Sequence, residues 1–425
     1  MENQTTAPVR TYDVIVVGGG WTGSAAALAA ARNGARTLLI ERINALGGAP
    51  ATMDVNPLMR YFTKDPVTGE TQYLSRGIFE EIVADMRRAG AMKENLFNPE
   101  WLKIILNRKM KEAGVELLFN SVAVEAERKG DRLVSVTVAN KSGMIKLAAT
   151  YFIDCTGDAD VAAAAGFPYR LGRTEDHLCQ PMTLNFSIAG VDPDLFEKNQ
   201  WNIVPLWQEE QKKGYIKNPM DTIMVFHSTV PSIVRLNATR VVRRNPTDCW
   251  DITQADLEAR EQIVELWEFL RDHVPGFENS SIYSSAIQTG VRESRMIDGE
   301  HILTAEELVA CTCFPDRIAA GNYDIDIHNP EGSGTSHYFF PDGQYYTIPY
   351  RCLIPKNAEN LLVAGRCISA THEAQASIRI MAIVCTLGEA AGTAAALALQ
   401  DHCPVGEVNV PRLQETLVKA NAFIG

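Results

Sequence analysis

The ends of the chain and its middle carry different hydrophobic patterns. Tyr12–Val17 is apolar and β-branched without alternation, which predicts a parallel strand buried on both faces. Three glycines follow, then an Ala-rich run over Ser24–Arg32 that predicts a helix. Thr37–Glu41 predicts a second short strand that ends on an acid. Tyr151–Asp154 and Asn360–Val363 repeat the buried-strand pattern much later. Between them, Met182–Ala189 and Thr222–Ser228 alternate like half-buried strands. Ala255–His273 places Ile263, Leu266, Trp267 and Leu270 at helical spacing. Asn329–Gly343, rich in glycine with two prolines, predicts a long loop. Ala376–Leu399 is the most apolar long stretch, but it holds Arg379 and Glu389, so it reads as a buried helix rather than a membrane span.

The first strand, glycine loop and helix form a dinucleotide-binding signature. Gly18 allows the tight turn out of the strand, and Gly20 lets the backbone approach a diphosphate. Gly23 lets the helix pack closely on the sheet. Trp21, Thr22 and Gly23 open the helix, whose free N–H groups and positive dipole end suit the anion. Glu41 lies 23 residues after Gly18, in range to accept hydrogen bonds from the adenosine ribose, with Arg42 beside it. An acid there disfavours a 2′-phosphate and argues against NADP.

Three further features point to FAD rather than NAD. Glu41 is followed by Gly47-Gly48-Ala49, which resembles the acid-then-double-glycine extension of glutathione-reductase-type FAD proteins. Asp154-Cys155-Thr156-Gly157-Asp158 resembles their second FAD motif, a strand ending in a small residue and glycine. Val363-Ala364-Gly365-Arg366, followed by a helix from about Ser377 and Ile378, resembles the C-terminal one. Many relatives carry an acid after that last glycine; this chain has Arg366, a departure that bears on the ribityl contact. Together with Gly290–Arg295, Asp326–Pro330, Arg366–Ala374 and Gly388–Ala395, these motifs resemble the bacterial FAD-dependent oxidoreductase family, within the fumarate-reductase and succinate-dehydrogenase flavoprotein-like class. The resemblance covers nearly the whole chain. It implies FAD and fold, and leaves the substrate open.

The implied fold is α/β: a Rossmann-type FAD-binding domain, discontinuous in sequence, with an inserted mixed α+β substrate or cap domain. The expected boundaries are 1–170 and 346–425 for the FAD-binding domain and 171–345 for the insertion. No second glycine signature after a strand indicates a separate NAD(P)H domain.

Composition narrows the partners. The formal charge of −12 disfavours nucleic acid, because phosphate contacts need a cationic surface. Nine cysteines without CxxC spacing fit reduced thiols in a cytoplasmic enzyme better than disulfides or a zinc site, and no metal is expected. Met1–Tyr12 has no apolar core, so no secretion signal is expected. The expected partners are a small-molecule substrate and an unspecified electron acceptor, without nucleic acid or membrane; a homo-oligomer is compatible.

Candidate chemistry clusters in four segments. Arg292 and Arg295 form the first, Asp326 and His328 the second, Tyr345 to Arg351 the third, and His372 to Arg379 the fourth. His328 is the leading general base or acid, since a neutral imidazole can take a hydroxyl proton as hydride leaves for the flavin. Tyr345, Tyr346 and His337 are alternatives. Arg292 and Arg351 suit a carboxylate, or else pair with carboxylates such as Glu293 inside the protein. The leading expectation is hydride transfer between a polar small molecule and flavin N5. Alternatives are a reductase of an activated alkene or dicarboxylate, a thiol-disulfide flavoprotein using Cys311 and Cys313, and a non-catalytic FAD-binding subunit. FAD is expected to be non-covalent, with Cys367 packed beside the third motif.

Overall fold

The computed structural model describes residues 10–425. The expectation about a secretion signal in Met1–Tyr12 therefore lies largely outside the described residues. The chain opens with β1 (Arg10–Val17), α1 (Trp21–Arg32) and β2 (Thr37–Ile40). β3 (Glu116–Leu118), β4 (Val122–Lys129), β5 (Arg132–Asn140) and β6 (Gly143–Asp154) complete the first part of the main sheet. β3, β2, β1 and β6 run parallel in that order. β5 and β4 extend the sheet antiparallel from the first half of β6. The unbroken apolar run of β1 has the expected cause. Val14 and Val16 face one hydrophobic cluster, while Tyr12, Ile15 and Val17 face another, so both faces are covered.

The middle of the chain builds a second sheet from β7 (Phe186–Ala189), β8 (Met224–His227) and β9 (Ile233–Asn237). α2 (Cys249–His273) follows, and β10 (Ser281–Ser285) closes the sheet beside β7. Asp248 caps α2 by accepting from the backbone N–H groups of Trp250 and Asp251. α2 buries Ala255, Ala259, Ile263, Leu266 and Leu270 in a cluster of their own with the sheet. Leu303, Phe314, Tyr323 and Phe340, expected in the inserted unit, pack instead in the cluster that holds α1.

The stretch expected as a loop over 329–343 is ordered differently. β11 (Ile325–His328) and β12 (Thr335–Tyr338) form an antiparallel hairpin whose turn occupies 329–334. The glycines serve that turn. Arg240, only 1% exposed, reaches from the second sheet's core and donates to the carbonyls of Asn329, Gly332 and Gly334. The hairpin is thus tied to both hydrophobic bodies.

β13 (Leu361–Val363) returns to the main sheet and pairs parallel with the end of β6. α3 (His372–Ile378) and α4 (Met381–Asp401) follow. The single helix expected from about Ser377 is therefore two. Thr371 caps α3 through the Ala374 N–H, Arg379 ends it, and Ile380 is extended (φ −71°, ψ 150°), which restarts the helix at Met381. α4 is long and apolar enough to cross a membrane, yet 94% of its apolar window is buried inside the protein. It lies against α1 at backbone contact. A Cβ on Gly388 would sit 2.0 Å from the Thr22 carbonyl oxygen, and one on Gly392 2.1 Å from that of Ala26.

Within α4, Glu389 is 2% exposed and accepts from the Ile78 N–H at 3.0 Å. Burial pushes its carboxyl up to about 7. The folded state then binds the proton more tightly than the unfolded chain, so Glu389 favours folding at low pH and loses that contribution as pH rises through 7. Glu389→Gln, which keeps an acceptor for Ile78, is expected to stabilise the protein at pH 8 but not at pH 4. The expected gain is on the order of 3 kcal/mol, read from urea unfolding at the two pH values.

Candidate active site

A cavity of about 760 Å³ brings the two ends of the chain and its middle together. Gly18, Gly20, Trp21 and Thr22 line it, as do Glu41, Arg42, Gly48 and Ala49. Thr156, Gly157, Gly365 and Arg366 join them from the ends of β6 and β13. Gly20 is the N-cap of α1 and no side chain caps the helix, so the N–H groups of Trp21, Thr22 and Gly23 carry no intrahelical partner. Trp21 Nε1 is also buried without a partner. Gly47 N–H donates to the Gly19 carbonyl at 2.9 Å, and Gly48 stacks on Gly20 so closely that a Cβ would meet its Cα at 2.9 Å. An open, donor-rich helix start walled by glycine backbone fits a dinucleotide diphosphate.

Glu41 is 8% exposed and already accepts from Gly19 N–H at 2.6 Å and Ile43 N–H at 3.0 Å. Those bonds fix the carboxylate at the cavity wall. Arg42 donates to Gln288 at 2.9 Å.

Several expected cofactor contacts lie elsewhere. Gly23 and Gly47 do not line the cavity; a Cβ on Gly23 would meet the Gly18 carbonyl oxygen at 1.7 Å, and one on Gly47 the Leu102 side chain at 3.1 Å. Asp158 does not line it; its carboxylate accepts from Arg366 at 2.6 Å and from Ser294 at 2.5 Å. Arg366 also donates to the Gly157 carbonyl at 2.8 Å, so the departure at this position stitches the second motif to the third. Ser377 and Ile378 are fully buried in α3 and do not reach the cavity. Ser377 bonds to the Tyr346 hydroxyl and the Tyr323 carbonyl instead. The helix start that does reach the cavity is that of α4, at Ile380 and Met381.

The same cavity is lined by Arg292, Tyr323, Asp326, His328, Thr335, His337 and Arg379. The hairpin positions four of them. Asp326 pairs across the ribbon with His337, and His328 with Thr335, so alternation along both strands puts all four on one face. His328 Nδ1 lies 3.2 Å from the Thr335 hydroxyl, and its Nε2 lies 3.4 Å from Asp326 Oδ2. His337 Nδ1 approaches Asp326 Oδ1 at 3.7 Å, and the Tyr323 hydroxyl donates to Oδ2 at 3.3 Å. Arg379 reaches the same carboxylate at 3.6 Å, and its Nε has no partner.

Electrostatics sorts these groups. Burial, with Arg292 beside it, pushes His328 down to about 3, so the imidazole is neutral at physiological pH. Burial alone would raise Asp326, but His328, Arg379 and His337 outweigh it and hold the carboxyl well below the usual range. Arg292 is pushed down to about 9 by burial, with Arg379 and Arg240 adding repulsion, and it remains charged. It donates to the Pro181 carbonyl at 2.6 Å and the Thr183 hydroxyl at 2.5 Å. Among the described residues no carboxylate lies within ion-pair distance of it. Glu293, its neighbour in sequence, is taken by His372 at 2.7 Å.

Arg351 and Tyr345 do not line this cavity, which corrects their expected catalytic placement. Arg351 pairs with Asp316 at 2.9 Å, and Tyr345 packs on Phe423. Cys311 and Cys313 are also outside it, and burial pushes the Cys311 thiol up rather than toward thiolate. Cys367 is completely buried in a hydrophobic cluster. Like Tyr323, Thr335 is a cavity group that sequence reading missed. The signal for it was the spacing Asp326-x-His328 and Thr335-x-His337 on either side of a Gly- and Pro-containing turn.

The glycine-walled cavity runs into a cluster of titratable groups, and the chain is a flavin-dependent redox enzyme with FAD as its cofactor. The chain belongs to the FAD dependent oxidoreductase family, whose sequence profile matches residues 13–417. Shorter matches include digeranylgeranylglycerophospholipid reductase of Methanocaldococcus jannaschii, 29% identical over 128 residues, or 28% of this chain and 32% of that one. Digeranylgeranylglycerophospholipid reductase 3 of Methanosphaera stadtmanae is 27% identical over 148 residues, or 31% and 36% of the two chains. The match thus spans about a third of the length of these curated relatives. Among solved structures, a geranylgeranyl bacteriochlorophyll reductase-like protein from Thermoplasma acidophilum aligns over 97% of this chain and 84% of that one. Its TM-score is 0.47 and its identity 13%.

Proposed function

We propose that this enzyme transfers a hydride between a polar small molecule and FAD, with His328 exchanging the substrate's proton. One observation carries the reading. A half-buried arginine without a carboxylate partner, Arg292, lines the same cavity as a neutral histidine and the glycine cradle. In this reading Gly18, Gly20, Trp21 and Thr22 hold the FAD diphosphate, Glu41 the ribose, and the start of α4 the flavin ring. When bound, FAD supplies the two-electron acceptor or donor. Arg292 binds an anionic oxygen of the substrate, and the buried walls exclude water. Free thiols at all nine cysteines and the buried position of α4 support a cytoplasmic enzyme.

The test is anaerobic mixing of the holoenzyme with sugars, polyols, hydroxy acids and amines while following flavin bleaching. Hydroxy acids are expected to bleach it fastest. If none of the panel does, and fumarate-like acids reoxidise the reduced enzyme, the activity is reduction of an activated alkene. Arg292→Met is expected to raise KM for anionic substrates by ~10- to 100-fold, the effect of losing one charge-assisted bond, and to leave neutral ones little changed. Serine at both Cys311 and Cys313 is expected to leave the bleaching rate intact; a large fall would favour thiol-disulfide chemistry.

A further inference from the structure

The hairpin holds more than a base. His328 has a partner on each ring nitrogen: the Thr335 hydroxyl at Nδ1 and the Asp326 carboxylate at Nε2. An ionised Asp326 only accepts, so it selects the tautomer with the proton on Nε2. Nδ1 then presents its lone pair to the Thr335 O–H, which donates to it. The Thr335 oxygen keeps lone pairs free to accept a second hydrogen bond, and Thr335 lines the cavity.

Asp326 continues the chain outward. Its Oδ2 serves His328, and its Oδ1, buried and without a hydrogen-bond partner, faces His337 Nδ1 at 3.7 Å. The His328 side chain is 9% exposed and that of His337 38%. His337 lies parallel to Phe339 at 5.4 Å, which holds its ring in place over the hairpin. The four groups thus share the cavity face of the hairpin, fixed by the cross-strand pairs His328–Thr335 and Asp326–His337; His337 is the exposed member, and 3.7 Å separates it from Asp326.

We propose that Thr335, His328, Asp326 and His337 form a proton relay, with Thr335 as the group that touches the substrate's hydroxyl. The proposal rests on the hydride-transfer reading above. In the oxidising direction the substrate O–H breaks and its proton passes to the Thr335 oxygen as the Thr335 proton passes to His328 Nδ1. The C–H bond gives its electron pair and hydrogen as hydride to FAD, and the substrate becomes a carbonyl compound. His328 then returns to neutral by releasing its Nε2 proton to Asp326 Oδ2; rotation of the carboxyl group turns that proton toward His337 Nδ1, and His337 releases a proton to water. One Nδ1–H to Nε2–H tautomer change resets His328. A depressed imidazole beside two arginines is a poor resting place for the proton, which suits transfer onward rather than storage.

The test uses the holoenzyme labelled with nitrogen-15 in histidine. Its NMR spectrum is expected to show His328 protonated on Nε2 and accepting at Nδ1, with the Nδ1 resonance shifted in Thr335→Val. A His328 protonated on Nδ1 overturns the proposal. With the panel compound that bleaches the flavin fastest, Thr335→Val is expected to lower kcat by ~100- to 1,000-fold with little change in KM. Thr335→Ser recovers most of that loss. His337→Ala is expected to lower kcat by about 10-fold and to be rescued by added imidazole, which a purely structural role would not allow. Bleaching by Thr335→Val at the wild-type rate overturns the relay. If no panel compound bleaches wild type, the hydride-transfer reading fails instead, and the nitrogen spectrum still decides the orientation of His328.

Discussion

Gly23→Ala is expected to yield protein that purifies without flavin. The added methyl would lie 1.7 Å from the Gly18 carbonyl oxygen and 3.1 Å from the Cys155 side chain. The first of these is backbone, and Gly18 is itself held by its N–H bond to the Ile40 carbonyl at 2.8 Å. Neither partner can rotate away, so the start of α1 must lift off the glycine loop. The donors at Trp21 and Thr22 then lose their shared focus, and anion binding at a helix start depends on that focus. Overpacking of this kind costs about 1–3 kcal/mol of stability or more, so thermal unfolding should shift downward as well. Gly406→Ala, where a Cβ meets nothing within 4 Å, is the matched control and should purify yellow. A yellow Gly23→Ala protein of wild-type stability would mean that the cofactor is held elsewhere.

The cradle was legible because its chemistry is local. Gly18, Gly20 and Glu41 lie within one strand-helix-strand unit, where periodicity and glycine placement carry the geometry. The return of Gly365 to the same cavity was legible from a strand that repeats the buried pattern of β1. Asp158 and Arg366 were harder. Both sit in recognisable motifs, but which groups satisfy them depends on their salt bridge, 2.6 Å long between positions 208 residues apart. The break between α3 and α4 was hidden because Ala376–Leu399 is apolar on either side of Arg379, and the extended Ile380 leaves no mark in hydrophobic periodicity. The hairpin of β11 and β12 was hidden for the opposite reason. Its strands are short, its exposed face is mixed, and its stability comes from Arg240 of a distant strand-to-helix connection. Arg351 illustrates the limit of residue type as a guide: its guanidinium is satisfied by Asp316 at the half-exposed surface.

His328→Ala is expected to slow flavin reduction by ~10²- to 10⁴-fold, the range for losing a general base, while flavin content stays at the wild-type level. The side chain makes no contact with the glycine cradle, and its partners are Thr335 and Asp326. Its removal therefore separates chemistry from cofactor binding. The pH dependence gives an independent reading. An ordinary histidine base protonates near 6.5 and loses activity below it. His328 faces Asp326 on its own strand, Thr335 and His337 on β12, and Arg292 and Arg379 on neighbouring segments. Burial and the two arginines outweigh Asp326 and push His328 down to about 3. The imidazole thus stays neutral from pH 8 down to pH 5, and its capacity to accept a proton persists across that range. Stopped-flow reduction at these pH values should show no fall with the titration of an ordinary histidine. Removing the cationic neighbour by Arg292→Met should move the protonation upward, so that activity is lost at a higher pH than in wild type. An unaltered reduction rate in His328→Ala would transfer the proton step to Tyr323, whose hydroxyl is the other donor on Asp326.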